Sequence, residues 1–180
     1  MITPQLLAQS PLFAGLPDDY LARFAALAHE VTCEAGNALF REGEEASRLY
    51  ILLSGKVSVQ VQPTALTHPL TIVSLSTLGQ LVGWSGFMPP NYYTASAICQ
   101  EDSHLLAFDG AAFNRLLEEN HEWGFTIMRR IAGVISQRVK KTPAKPCFSI
   151  TISALAISLF SIGLRSILFR TGLPASRPIQ

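Results

Sequence analysis

At Glu30 the hydrophobic period of this 180-residue chain changes from that of a helix to that of a strand, and it changes back only at Asp109. Between the two lie eight short runs rich in apolar and β-branched residues, at 30–33, 38–41, 49–54, 56–62, 70–75, 78–82, 93–99 and 103–108. Lys56-Val57-Ser58-Val59-Gln60-Val61-Gln62 alternates strictly and is the clearest strand of the set. Gly36, Gly43, Gly55 and Gly79 fall at corners that must be tight or take positive φ. Eight strands at this spacing predict an antiparallel sandwich or roll.

Helical segments flank the strands. Leu6, Leu7, Leu12 and Phe13 suggest a short helix, and Leu16-Pro17-Asp18-Asp19 opens a second, with Leu21, Phe24, Ala25 and Leu27 at helical spacing. Asp109 can cap a helix that starts Gly110-Ala111-Ala112-Phe113. A longer helix follows at about 121–140, with Gly124, Ile127, Met128, Ile131, Val134, Ile135 and Arg138 along one stripe. That stripe is narrow enough for a helix–helix seam between two copies; packing against the strands is the other reading. Thr142-Pro143-Ala144-Lys145-Pro146 ends the helix, so the chain divides into a folded part at 1–141 and a tail at 142–180. Helices at both ends of an antiparallel strand region make the folded part an α+β domain.

Charge is split along the chain. Up to Glu122 there are 13 acidic and five basic residues, net −8, and the remaining 58 residues carry nine basic residues and no acid. The acidic front is ill suited to nucleic-acid phosphates, while the basic rear could meet a polyanion or lipid headgroups. Cys33, Cys99 and Cys147 are odd in number and lack a CxxC spacing, which predicts free thiols in a reducing compartment rather than a disulfide framework or a metal site. Met1-Ile2-Thr3-Pro4-Gln5 lacks the basic and apolar regions of a secretory signal, so the expected location is the cytoplasm.

No catalytic constellation is legible. His29, His68, His104 and His121 are scattered without metal-ligand spacing, and neither a GxSxG nor a phosphate-binding P-loop occurs, so no enzyme is expected. Sequence-specific DNA recognition is not expected either, because only about 35 residues follow Pro146 and they lack the two amphipathic helices of a reading module.

Three stretches then carry a resemblance. They are Pro11-Leu12-Phe13-Ala14-Gly15-Leu16, Ala38-Leu39-Phe40-Arg41-Glu42-Gly43-Glu44 and Leu49-Tyr50-Ile51-Leu52-Leu53-Ser54-Gly55-Lys56-Val57, joined by Gly79-Gln80-Leu81. In that order, between those helices, they resemble the cyclic-nucleotide-binding domain of CRP/FNR-type regulators and of kinase regulatory subunits. The resemblance implies an eight-stranded antiparallel, jelly-roll-like β-roll flanked by N-terminal helices and a long C-terminal helix. It also implies a non-enzymatic sensor of a small phosphorylated ligand, without the DNA-binding domain usual in those regulators.

In that family the position of Gly79 opens a phosphate-binding cassette, here running to Ala97. The residues expected at the ligand are Gly79, Gln80, Leu81, Val82, Tyr93, Thr94 and Ala95. In cAMP-binding members a Glu holds the ribose hydroxyl and an Arg pairs with the phosphate. The resemblance puts Gln80 at the first position and Tyr93 at the second. No Lys or Arg lies between Lys56 and Arg115, so the segment itself supplies no replacement cation. Trp84, Phe87, Tyr92 and Tyr93 load it with rings that suit either core packing or an apolar pocket wall. No cofactor is expected beyond a cyclic nucleotide as ligand, and the expected partner is a second copy of the chain.

The tail admits three readings. Cys147–Leu164 is 18 residues without a charge, and as a helix it would nearly span a hydrocarbon core of about 30 Å. The basic residues Arg138, Lys140, Lys141 and Lys145 before it would keep the domain on the inner face of the membrane. Five Ser and Thr residues in the run favour instead a remnant of a longer regulator, or an extra packed element.

Overall fold

The computed structural model describes residues 2–64, 66–88 and 90–141. Four helices and eight strands follow in chain order: α1 (Pro4–Ala8), α2 (Asp18–Leu27), β1 (Ala28–Cys33), β2 (Ala38–Phe40), β3 (Arg48–Ser54), β4 (Val57–Val61), β5 (Leu70–Leu75), β6 (Leu81–Val82), β7 (Ser96–Cys99), β8 (Ser103–Asp109), α3 (Gly110–Glu119) and α4 (His121–Lys141). A short 3-10 helix, Trp84–Phe87, lies between β6 and β7. All eight expected strands form, with those expected at 78–82 and 93–99 shortened to β6 and β7.

The strands make two antiparallel four-stranded sheets, ordered β1-β8-β3-β6 and β2-β7-β4-β5. This is the α+β roll the resemblance implied. Successive side chains in a strand point to opposite faces, and in the first sheet both faces are covered. Tyr50, Leu52, Leu105 and Ala107 turn into the roll. Phe108, one residue beyond Ala107 and so on the opposite face of β8, meets Phe13 and Phe113 there at 6.1 and 5.7 Å between ring centroids. Sandwiched strands need no polar face, which is why β3 and β8 each hold four consecutive buried residues.

The helices close that outer face. Phe13 and Phe24 stack at 5.0 Å between centroids, Phe24 and Phe113 at 5.0 Å, and the Tyr20 hydroxyl donates to the Leu116 carbonyl at 2.6 Å. Asp109 caps α3 as expected, its Oδ1 accepting from Ala112 N at 2.8 Å.

The stripe on α4 has an intramolecular use. Gly124, Ile127, Ile131, Ile135 and Arg138 are buried within the chain itself, with Met128 and Val134 half-buried beside them. A seam between two copies therefore cannot be built from those five residues. The apolar period identified the buried face of the helix, and the cover is the chain's own fold. Residues 142–180, with Lys145, Cys147 and the whole tail question, lie outside the described residues, as do the side chains of Phe87, Lys140 and Lys141. Among the described residues no helix is long and apolar enough to cross a membrane.

Candidate functional site

The seven residues expected at a ligand take several distinct places. Gly79 (φ +83°) turns the chain beneath the N-terminal segment: its N–H donates to Leu52 O at 2.8 Å, and the buried Ser10 hydroxyl donates to its carbonyl at 2.8 Å. Gln80 folds its carboxamide back on its own turn, where Oε1 accepts from Ser76 N and Thr77 N, both at 2.9 Å. Leu81 and Val82 are core residues of β6, paired with Ile51 and Tyr50. Thr94 is exposed and Ala95 packs against the core of the roll.

Tyr93, like Val82, occupies the roll's interior, and it brings a polar group there. Only 5% of it is exposed. Its ring stacks on Phe40 with centroids 3.7 Å apart and planes 10° from parallel, and Phe40 in turn faces Tyr50 at 5.9 Å. The Tyr93 hydroxyl donates to the Arg48 carbonyl at 2.8 Å, and the Tyr50 phenol is its electrostatic neighbour. Burial lifts both phenols above their ordinary value, so both are neutral donors at neutral pH.

The backbone on either side locks this arrangement. Tyr93 N donates to Glu44 O at 2.9 Å, Gly43 N to Tyr93 O at 2.8 Å, and Ala46 N to Asn91 O at 2.7 Å, while Glu45 and exposed Tyr92 form an antiparallel bridge. The second half of the cassette is thereby zipped to the turn between β2 and β3.

Its first half is held by α4. The short helix begins at Trp84, four residues beyond Gln80, so Trp84 is the side chain that stands at its start. The Arg138 guanidinium lies 4.8 Å from the centre of the Trp84 ring and donates to the Leu81 carbonyl. Desolvation pushes Arg138 down to about 10, which leaves it charged at neutral pH. Trp84 keeps its indole N–H buried without a hydrogen-bond partner among the described residues.

Beside the ring stack a polar cleft of about 670 Å³ opens along β1, β2 and the start of β3, lined in part by Cys33, Asn37, Arg41, Glu44, Arg48 and Tyr50. None of the seven expected residues lines it. The two arginines are what sequence reading missed. They lie outside the cassette, Arg41 just past β2 and Arg48 at the start of β3. Arg41 sits inside one of the three stretches that carry the resemblance. Among the described residues no cluster of His, Cys, Asp or Glu could hold a metal ion.

Comparison with known proteins agrees with this architecture. The chain is 26% identical over 139 residues to the CRP-like cAMP-activated global transcriptional regulator of Mycobacterium tuberculosis, an alignment covering 77% of this chain and 59% of the regulator. It thus spans less than two thirds of that protein's length. A solved structure from Geobacter metallireducens, assigned as a cyclic nucleotide-binding protein, superposes with a TM-score of 0.68 at 27% identity, over 77% of this chain and 99% of that one. The N-terminal domain of a transcriptional regulator from Streptomyces coelicolor gives 0.61 at 26% identity, over 75% and 93%. The sequence pattern of the cyclic nucleotide-binding domain matches residues 30–120, from β1 to the end of α3 and so across all eight strands of the roll, and the chain belongs to that family.

Proposed function

We propose that this domain is a non-enzymatic ligand-sensing regulatory module, acting in the reducing cytoplasm, whose phosphate-binding cassette has departed from the cAMP-binding form. The observation that carries the reading is Tyr93. It stands where cAMP-binding members place the phosphate-pairing Arg, and its ring fills the roll against Phe40 at 3.7 Å. Neither a phenol held neutral by burial nor a Gln committed to its own turn supplies charge to an anion. A small phosphorylated ligand would instead meet Arg41 and Arg48 at the polar cleft.

Occupancy would be transmitted through α4, because Arg138 ties that helix to Leu81 and Trp84. The outward face of α4, where Phe125 is 68% exposed with Met128 and Ala132 beside it, is where we place contact between two copies. Light scattering on the full chain tests this: Phe125→Glu should turn a dimer into a monomer.

Calorimetry of the full chain against cAMP, cGMP and a cyclic dinucleotide tests the ligand reading. No heat is expected at submicromolar cAMP or cGMP. Submicromolar cAMP affinity would overturn it.

A further inference from the structure

Cys33 and Cys99 are 66 positions apart in the chain, yet the fold brings their thiols together. Cys33 ends β1 at the edge of the first sheet, and Cys99 ends β7 in the second. Both side chains point into the core of the roll, where each thiol is the other's electrostatic neighbour. The backbone beside them is already joined. Gly36 N donates to Cys99 O at 2.7 Å, and Cys99 N donates to Asn37 O at 2.8 Å. That Asn37 carbonyl also accepts from the Cys33 thiol at 3.7 Å.

The two sulfurs are not equivalent. Cys33 lines the polar cleft, whereas Cys99 is fully buried behind it. Burial first, and then the neighbouring Cys33, pushes the Cys99 thiol up to about 12, so the first attack falls to Cys33 at the cleft.

We propose that Cys33 and Cys99 are a peroxide-oxidisable dithiol whose disulfide staples the two sheets together beside the cleft. The Cys33 sulfur attacks one oxygen of a hydroperoxide; the O–O bond breaks, water or an alcohol leaves, and Cys33 becomes a sulfenic acid. The Cys99 sulfur then gives up its proton and attacks the Cys33 sulfur. The S–O bond breaks, a second water leaves, and the S–S bond forms. Two thiols lose two hydrogens and two electrons, and one hydroperoxide takes them up. This inference stands apart from the ligand reading, since it needs only the thiol pair and an opening to it.

The test uses the reduced full chain and its Cys147→Ser variant, which removes the tail thiol from competition. Each is exposed to hydrogen peroxide without denaturant, alkylated, digested without reductant and mapped by mass spectrometry. The expected product in both is a peptide pair joined through Cys33 and Cys99, with a raised urea midpoint that dithiothreitol reverses. Cys33→Ser and Cys99→Ser should each abolish that pair. Alkylation of both residues after peroxide, linkage of either only to Cys147, or linkage only in urea would overturn the proposal. Because the mapping is done on the unmodified chain, a variant that fails to fold leaves the result intact.

Discussion

Arg138 lays its guanidinium over the ring of Trp84, 4.8 Å from ring centre to charge, and with the same side chain donates to the carbonyl of Leu81. One residue near the end of α4 thereby grips both β6 and the short helix that follows it. A cation on an indole face is worth about 0.5–2 kcal/mol, the more so when desolvated, and a hydrogen bond from a charged group about 1.5–3 kcal/mol. Arg138 is 9% exposed, so water competes weakly for either contact.

Replacing Arg138 with Met should therefore lower unfolding free energy by about 2–4 kcal/mol, read from urea titration. The informative measurement is a double-mutant cycle with Trp84. Trp84→Leu removes the ring and should couple to Arg138→Met by about 0.5–2 kcal/mol. Trp84→Phe retains an aromatic face and discards the unpartnered indole N–H, so it should cost far less. Zero coupling in the Leu cycle would mean the two residues are mere neighbours.

Tyr93 makes two separable contributions, a stack and a hydroxyl. Tyr93→Phe keeps the face against Phe40 and loses the bond to Arg48 O, for a cost of about 1–2 kcal/mol. Tyr93→Ala empties the space and should cost about 3–5 kcal/mol. Equal losses in the two variants would contradict the packing described for this ring. If the cavity left by Ala accommodates a base, cyclic-nucleotide binding measured on that variant should remain weak, because no guanidinium returns with the space.

High pH should weaken the domain. Burial raises the Cys99 thiol from its ordinary value near 9 to about 12 and lifts Tyr50 and Tyr93 above theirs near 10. The folded state then holds protons that the unfolded chain has released, and stability falls as pH rises. The contribution is complete below about pH 9 and is lost as pH climbs through about 12. Arg138 has the opposite sign, since its depressed value lets the folded state shed a proton first, but its effect begins only near 10. Urea midpoints should decline between about pH 9 and 10, and less steeply in Cys99→Ala. A flat profile in the unmodified chain would contradict this assignment.

How far the sequence reading reached depends on the range of each interaction. The alternation at Val57, Val59 and Val61 marks a strand because period 2 is a local property of the chain. The burial of the intervening Ser58 is not local: its hydroxyl donates to Ile98 O across the sheet at 3.3 Å and accepts from Gln60 and Gln100. The local bonds of Gln80 were hidden for a related reason. Its side chain satisfies two amide N–H groups of the preceding turn, and that local competition with the backbone leaves no trace in residue type alone. The segment from Gly79 to Ala97 holds no Lys or Arg, and the cations at the cleft beside the ring stack are Arg41 and Arg48. Periodicity on α4 likewise named the apolar face without naming what covers it.

The role of Gly79 can be separated from that of an ordinary turn glycine. Gly36 and Gly79 both hold φ near +85°, at +86° and +83°. A Cβ at Gly36 would meet nothing within 4 Å, whereas at Gly79 it would lie 2.6 Å from Ser10 Cα and 3.0 Å from Pro11 Cδ. Gly36→Ala should therefore cost only the left-handed backbone penalty of about 1–2 kcal/mol. Gly79→Ala should cost more, because the Ser10 segment must move and the buried Ser10 hydroxyl loses its bond to the Gly79 carbonyl. A further loss of about 1–3 kcal/mol over the Gly36 variant is expected in urea unfolding. Limited proteolysis should then cut the N-terminal segment through α1 faster in Gly79→Ala than in Gly36→Ala. Matching losses and matching cleavage rates would reduce Gly79 to a turn residue that happens to lie near Ser10.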